Sequence, residues 1–294
     1  MEHGNRLVSM GMATRNRAHC IRYALDALLG QTYQDIELII ADGASEDTTQ
    51  EICEEYAKKD PRIRYFRQPH NNGNIGDFNI TLGKARGDYF MWVGDDDWWD
   101  PQFVATMVRT LESHPTYDTA MSFFSEHVEN PYHPDRHGKT FTHHFTDKNY
   151  ASVYRTMIRA KTNPIFWFAM YRTAKLRLLF RRLVPHCIED VTVFLCEVAL
   201  SIRCYSVPQV LMSRYRDPRP LAIRHAYLGA LSREPFPRTR HIATMLWWLV
   251  TSPNIPWSRK HLIILPWSEL LWRSKRKITQ EIIGVFRPTR YANI

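Results

Sequence analysis

Five groups of oxygen-bearing side chains in this sequence have the types and spacing for chemistry. The densest is Asp95-Asp96-Asp97, which follows an apolar run ending at Val93 and precedes Trp98-Trp99. Adjacent carboxylates repel one another, so something must offset the repulsion. A hard divalent ion does so, because Mg²⁺ and Mn²⁺ take oxygen ligands, keep several waters and commonly bind one or two carboxylates together with phosphate oxygens. Such an ion neutralises a diphosphate as its bond to carbon breaks. An acidic turn before the helix that starts near Pro101 would produce the same three letters without a metal.

The other groups are sparser. Thr14 and Asn16 follow the first apolar run, and Asp42 ends the second, in Asp42-Gly43-Ala44-Ser45-Glu46-Asp47. A carboxylate at that place accepts hydrogen bonds from a nucleobase imide or a ribose hydroxyl. As a structural residue it belongs to an Asp-Gly turn, with Ser45 or Asp47 capping the next helix, and Asp47 is assigned to the cap. Asn71, Gly73 and Asn79 either let backbone and amide groups approach a phosphate or form a flexible link. Glu189-Asp190 opens a helix, where the dipole favours acids without any catalytic purpose. Transfer of a group onto an alcohol, however, requires a base near the incoming hydroxyl, and a carboxylate suits that task.

What must position these groups is an alternation of two periods. Strand-like runs at 7–12, 36–41, 63–67 and 88–93 alternate with helical spacing at 18–29, 47–58 and 75–85. Such alternation predicts a doubly wound, mostly parallel sheet with helices on both faces, whose ligands sit beyond the carboxyl ends of the strands. Thr14, Asn16, Asp42 and Asp95 to Asp97 then share one rim. A helix over 101–112 and a strand over 119–124 follow. Residues 126–147 lack periodicity and read as a long loop. Beyond it come a strand at 165–170, a helix at 189–200 and two short strands at 204–207 and 210–215.

The charge is unevenly spread. Residues 1–215 hold 25 Lys+Arg against 26 Asp+Glu, whereas 216–294 hold 14 against 4, so the whole excess of the net +9 lies in the last quarter. This points to a tail that meets anionic lipid or an anionic polymer more than to a basic catalytic domain. In that tail Trp247, Trp248, Trp257, Trp267 and Trp272 alternate with Arg259, Lys260, Arg273, Lys275, Arg276 and Lys277, the pattern of an interfacial segment. Its apolar runs are broken by Pro253, Pro256 and Pro266 and fall short of the ~20 residues that span a bilayer. Packing of the aromatics on the rest of the chain is the competing reading. A division into 1–215 and a basic, mainly helical extension at 216–294 follows. The five cysteines form no C-x-x-C pair, and no secretion signal is read near Met1, so a cytoplasmic setting with buried thiols is expected, with peripheral attachment to a membrane.

Taken in order, Ala13-Thr14-Arg15-Asn16-Arg17, Asp42 to Thr48, Asn71-Asn72-Gly73 with Asn79, Gly87-Asp88-Tyr89, Gly94-Asp95-Asp96-Asp97 and Glu189-Asp190 resemble the family 2 glycosyltransferases of GT-A fold. The resemblance covers roughly residues 6 to 215. It implies an inverting, metal-dependent hexosyl transfer from a UDP-, GDP- or dTDP-linked sugar to a saccharide or lipid-linked acceptor, with Mn²⁺ or Mg²⁺ as cofactor. It also implies roles: Thr14, Asn16, Asp42, Asn79 and Asp95 toward the nucleotide, Asp96 and Asp97 toward the metal, Asp190 as general base. Two departures stand out. Arg15 replaces a common tyrosine, and Gly94 replaces the leading acid of Asp-x-Asp-Asp, which leaves the register of the metal ligand between Asp95, Asp96 and Asp97. Two other classes remain beside it: a sugar-phosphate nucleotidyltransferase, whose Gly-rich basic signature Gly11-Met12-Ala13-Thr14-Arg15 matches poorly, and a non-catalytic nucleotide-sugar-binding protein at a membrane surface.

Overall fold

The computed structural model describes residues 6–71, 73–127, 139–141, 154, 167–180, 190–215, 243 and 246–263. The apolar runs become β1 (Val8–Thr14), β2 (Ile36–Asp42), β3 (Ile63–Arg67) and β4 (Tyr89–Val93), separated by α1 (Ile21–Leu29), α2 (Thr49–Lys59) and α3 (Gly73–Lys84). Nearly every residue of β1, β2 and β4 is buried, which requires cover on both faces of the sheet. β1 pairs in parallel with β2 and β4, and β2 with β3. The register places Thr14 opposite Asp42 and Met12 opposite Val93, so the three strand ends form one rim, as expected.

The second half is less regular. β5 (Trp98–Trp99) precedes α4 (Phe103–Ser113) and β6 (Thr119–His127); then come β7 (Lys139–Phe141), β8 (Met170–Arg172), α5 (Thr173–Phe180), α6 (Asp190–Ser201) and β9 (Cys204–Tyr215). The sheet order is β3-β2-β1-β4-β8-β6-β9-β5, with β7 on β6. β8 runs antiparallel to both neighbours, β4 and β6, while β6 and β9 are parallel.

Three expectations are corrected. The strand predicted at 165–170 begins only at Met170; Trp167 lies in the turn before it, stacked on Trp92 with ring centroids 4.3 Å apart. The two strands predicted at 204–207 and 210–215 are one, β9, whose pairing with β6 jumps from Val207 to Val210 and so bulges at Pro208-Gln209. A proline cannot donate to the ladder, which is why it sits in the bulge. Of the loop predicted over 126–147, Glu126 and His127 close β6 and Lys139–Phe141 form β7, while the rest lies outside the described residues.

The described residues fall into two compact units. The first holds the sheet and α1 to α5. The second holds α6, Tyr154 and the helical segments at 246–251 and 257–263, so α6, read from the sequence as part of a domain ending at 215, clusters with the C-terminal segments. Within it Cys196, Leu200, Tyr154, Leu249, Ile255 and Ile263 form a core, and Glu197 accepts hydrogen bonds from Ser252 and Asn254. The free cysteines Cys20, Cys53, Cys196 and Cys204 are buried, as expected; Cys187 lies outside the described residues. Among those residues no helix is long and apolar enough to cross a membrane.

At the rim's opposite end, Gly87 lets β4 approach β1. Its N–H donates to Ser9 Oγ at 2.8 Å, and a Cβ there would lie 2.5 Å from Leu7 O and 2.7 Å from Ser9 N. Both obstacles include backbone and cannot swing aside. Gly87→Ala is therefore expected to lower stability by about 1–3 kcal/mol, read as a lower urea midpoint at unchanged m. A loss under about 0.5 kcal/mol would refute the close approach.

Candidate active site

The loop after β1 is laced to the loop after β2. Gly43 N–H donates to Thr14 O at 2.9 Å, Asn16 N–H to Ser45 Oγ at 3.1 Å, Glu46 N–H to Asn16 Oδ1 at 2.8 Å and Arg17 N–H to Thr49 Oγ1 at 2.8 Å. Asn16 sits at φ 55 and Ala44 at φ 59. Asparagine tolerates that region; alanine does not, so the loop holds Ala44 under strain of the kind found at ligand clamps.

Asp42, expected to contact base or ribose, is engaged by the chain itself. It is fully buried, and its carboxylate accepts Ser45 N–H at 2.8 Å, Ser45 Oγ–H at 2.6 Å and Tyr65 Oη–H at 2.6 Å. Three of its roughly four acceptor positions are filled from within the protein, which makes Asp42 the organiser of the loop. Asp47, assigned to the cap, stands one residue before the N-cap Thr48; burial raises its carboxyl, but the Thr49 and Ala18 N–H groups it accepts outweigh that and hold it below the usual carboxylate range.

The triple acid meets a cation that sequence reasoning did not assign. Arg17 Nε lies 3.3 Å from Asp95 Oδ1, and its Nη2 lies 3.9 Å from Asp96 Oδ2. Asp95 is 7% exposed with Thr14 beside it; burial raises its carboxyl against the pull of Arg17 and Thr14. Asp96 is the most open of the three, yet burial and the charge of Asp95 push it up to about 6. Asp97 turns inward. It is 2% exposed, its Oδ1 accepts Tyr215 N–H at 3.0 Å, and burial and Asp96 raise it well above the usual value.

The inward turn also accounts for Gly94. A Cβ there would overlap Asp97 Oδ2 and lie 2.8 Å from its Cγ, so the glycine and the rotamer of Asp97 require each other. The donor set fits a divalent cation in type: three oxygen-bearing acids stand in sequence, burial raises all three carboxyls against the pull of Arg17 and Arg214, and Asp96 is the one turned outward. Among the described residues no three acidic, His or Cys side chains form a ligand cage, so a cation held by Asp96 would draw its other oxygens from phosphate and water.

The sequence profile of Glycosyl transferase family 2 matches residues 9–198. The chain belongs to that family. It is 28% identical over 139 residues to glycosyltransferase GlyA of Streptococcus pneumoniae, covering 47% of this chain and 19% of that protein. It is 37% identical over 103 residues to the putative glycosyltransferase EpsH of Bacillus subtilis, covering 35% and 30%. The match thus spans less than a third of either relative's length. S. aureus TarS 1-349 superposes with TM-score 0.66 at 15% identity, covering 92% of this chain and 73% of that one. The mannosyltransferase PcManGT of Pyrobaculum calidifontis, in complex with GDP-Man and Mn2+, gives 0.57 at 17% identity, covering 93% and 76%. These likenesses show a GT-A-like fold.

Of this family member's predicted residues, Thr14, Asn16, Asp42 and Asp95 to Asp97 come together at the rim. Asn79 lies on α3, partly buried, two positions from the buried Asp77. Asp77 faces Gly43. Arg17 carried no signal in the sequence, since its partners are 78 and 79 residues away. Glu189 and the side chain of Asp190 lie outside the described residues; the backbone puts Asp190 at the first position of α6.

Proposed function

We propose that the chain transfers a sugar from a nucleotide-diphosphate donor to an acceptor hydroxyl with inversion at the anomeric carbon, in glycan, polysaccharide or glycolipid synthesis. One observation carries this: three consecutive carboxylates, with Asp96 turned outward, lie at the β4 end on the same rim as the laced loops after β1 and β2. Family membership supports sugar transfer, and structural relatives crystallised with UDP, UDP-GlcNAc and GDP-Man support the donor class.

In this reading Thr14, Asn16 and Asp95 line the nucleotide side, Asp42 fixes the loop beneath it, and Asp96 is the carboxylate offered to Mg²⁺ or Mn²⁺. The cation, when bound, supplies charge neutralisation of the diphosphate. Asp190 accepts the proton of the acceptor hydroxyl as its oxygen attacks the anomeric carbon and the diphosphate departs with the bonding pair. Purified protein is expected to hydrolyse or transfer at least one of the UDP-, GDP- or dTDP-sugars in a divalent-dependent manner. Failure with all of them, and no nucleotide binding, would sink the proposal.

Attachment to a membrane surface rests on a separate observation. In the second unit Leu249, Ile255 and Ile263 face inward, whereas Trp257 is 84% and Trp247 61% exposed, and Lys260 Nζ lies 4.2 Å from the Trp257 ring centroid. Exposed aromatics beside a cation fit an anionic lipid surface. Trp247→Ser with Trp257→Ser in the full chain is expected to reduce co-sedimentation with anionic vesicles at least about fivefold. Equal partitioning of variant and wild type would discard the idea.

A further inference from the structure

Asp77, on α3, is 2% exposed, and its Oδ1 has no hydrogen-bond partner. Its Oδ2 reaches the loop after β2, where a Cβ on Gly43 would lie 2.7 Å from it. Asn71 Oδ1, 3.6 Å from that same Cβ, is itself an acceptor, bonded by Gly73 N–H at 2.8 Å. On the loop after β1, Arg15 binds Glu46 through Nη2 at 3.0 Å while its buried Nε–H is also without an acceptor. One acceptor and one donor, both removed from water, are thus unmet beside loops that hydrogen-bond to each other. Folded chains seldom leave such groups unsatisfied unless something else completes them.

We propose that Asp77 and Arg15 read the donor's nucleobase: Asp77 Oδ1 accepts a ring N–H and Arg15 Nε–H donates to the carbonyl beside it. Uracil, thymine and guanine present an N–H next to a C=O. Adenine and cytosine present a bare ring nitrogen next to an amino group, which reverses the pattern and leaves both protein groups unpaired. The inference rests on the nucleotide-sugar reading and deepens it by naming the class of base. Burial and the charge of Asp42 push Asp77 up to about 7, against the pull of Arg15, so the acid is costly to the fold at neutral pH and above without a ligand.

The test is calorimetric titration of the full chain, with Mn²⁺, by UDP, dTDP, GDP, ADP and CDP. Wild type is expected to bind at least one of the first three about 10-fold or more tighter than ADP and CDP. Asp77→Ala and Arg15→Met are each expected to weaken that binding about 10–100-fold and to narrow the preference. Because the folded chain keeps the Asp77 proton up to about 7, removing the acid should raise the melting temperature more at pH 8 than at pH 5. If Asp77→Ala does not fold, Asp77→Leu, of similar size and without an acceptor, carries the measurement. Variants that bind within about twofold of wild type, or a wild type indifferent to the base, overturn the base-reading pair alone. A wild type that binds none of the five overturns the nucleotide-sugar reading, and this inference with it.

Discussion

Asp96→Asn is expected to slow sugar transfer by at least about 10²-fold and to weaken Mn²⁺-dependent nucleotide binding, while the fold is retained. Asp96 is the one acid of the three whose carboxylate is both raised and turned outward. Asp95 is held by Arg17, and Asp97 is bonded to the backbone of Tyr215. An amide at 96 keeps the shape and loses the charge offered to the cation. The stability change has a definite sign. The folded chain keeps the Asp96 proton up to about 6, whereas the unfolded chain loses it near 4, so ionisation at this site lowers stability as pH rises between those values. Asparagine removes that slope, and melting curves at pH 4.5 and pH 7 would show it. Wild-type turnover in Asp96→Asn would strip residue 96 of its place, and the same measurement on Asp95→Asn would then show whether the neighbouring acid holds it.

Asp190→Asn should lose transfer by at least about 10²-fold and still bind nucleotide with Mn²⁺ within about twofold of wild type. The expectation follows from its position at the first residue of α6, where asparagine serves a helix start as well as aspartate does, so the change isolates proton acceptance. The diagnostic is the split between turnover and donor affinity. A variant that transfers at the wild-type rate removes Asp190 as the base, and one that loses donor binding as well assigns it a different task.

The half of the fold that places the rim was legible because β1, β2 and β4 are buried on both faces and read as uninterrupted apolar runs. The other half was harder to read for physical reasons. β8 is three residues long, too short to show a period, and the aromatic run before it packs in a turn against Trp92 instead of pairing. In the site, carboxylates were legible because acids beside one another at a strand end are costly. Their partners were not. Arg17 reaches Asp95 across 78 residues of chain, and the internal bonds that occupy Asp42 come from Ser45 and from Tyr65, on the neighbouring strand. Position along the chain shows which groups carry charge, and only packing shows which of them are already satisfied.

The hydrogen bond from Tyr215 to Asp97 joins the acidic turn to the last residue of β9, and β9 reaches that point only after its bulge at Pro208-Gln209. The bulge therefore acts as a vernier: it sets the phase in which the final strand arrives, some half-dozen residues before the carboxylates it serves. A single-residue change of length there would present the wrong edge of Tyr215, release Asp97 from its inward pose and leave Gly94 guarding an empty place. The spacing of an unremarkable strand is, in this chain, as much a part of the acidic rim as the acids are.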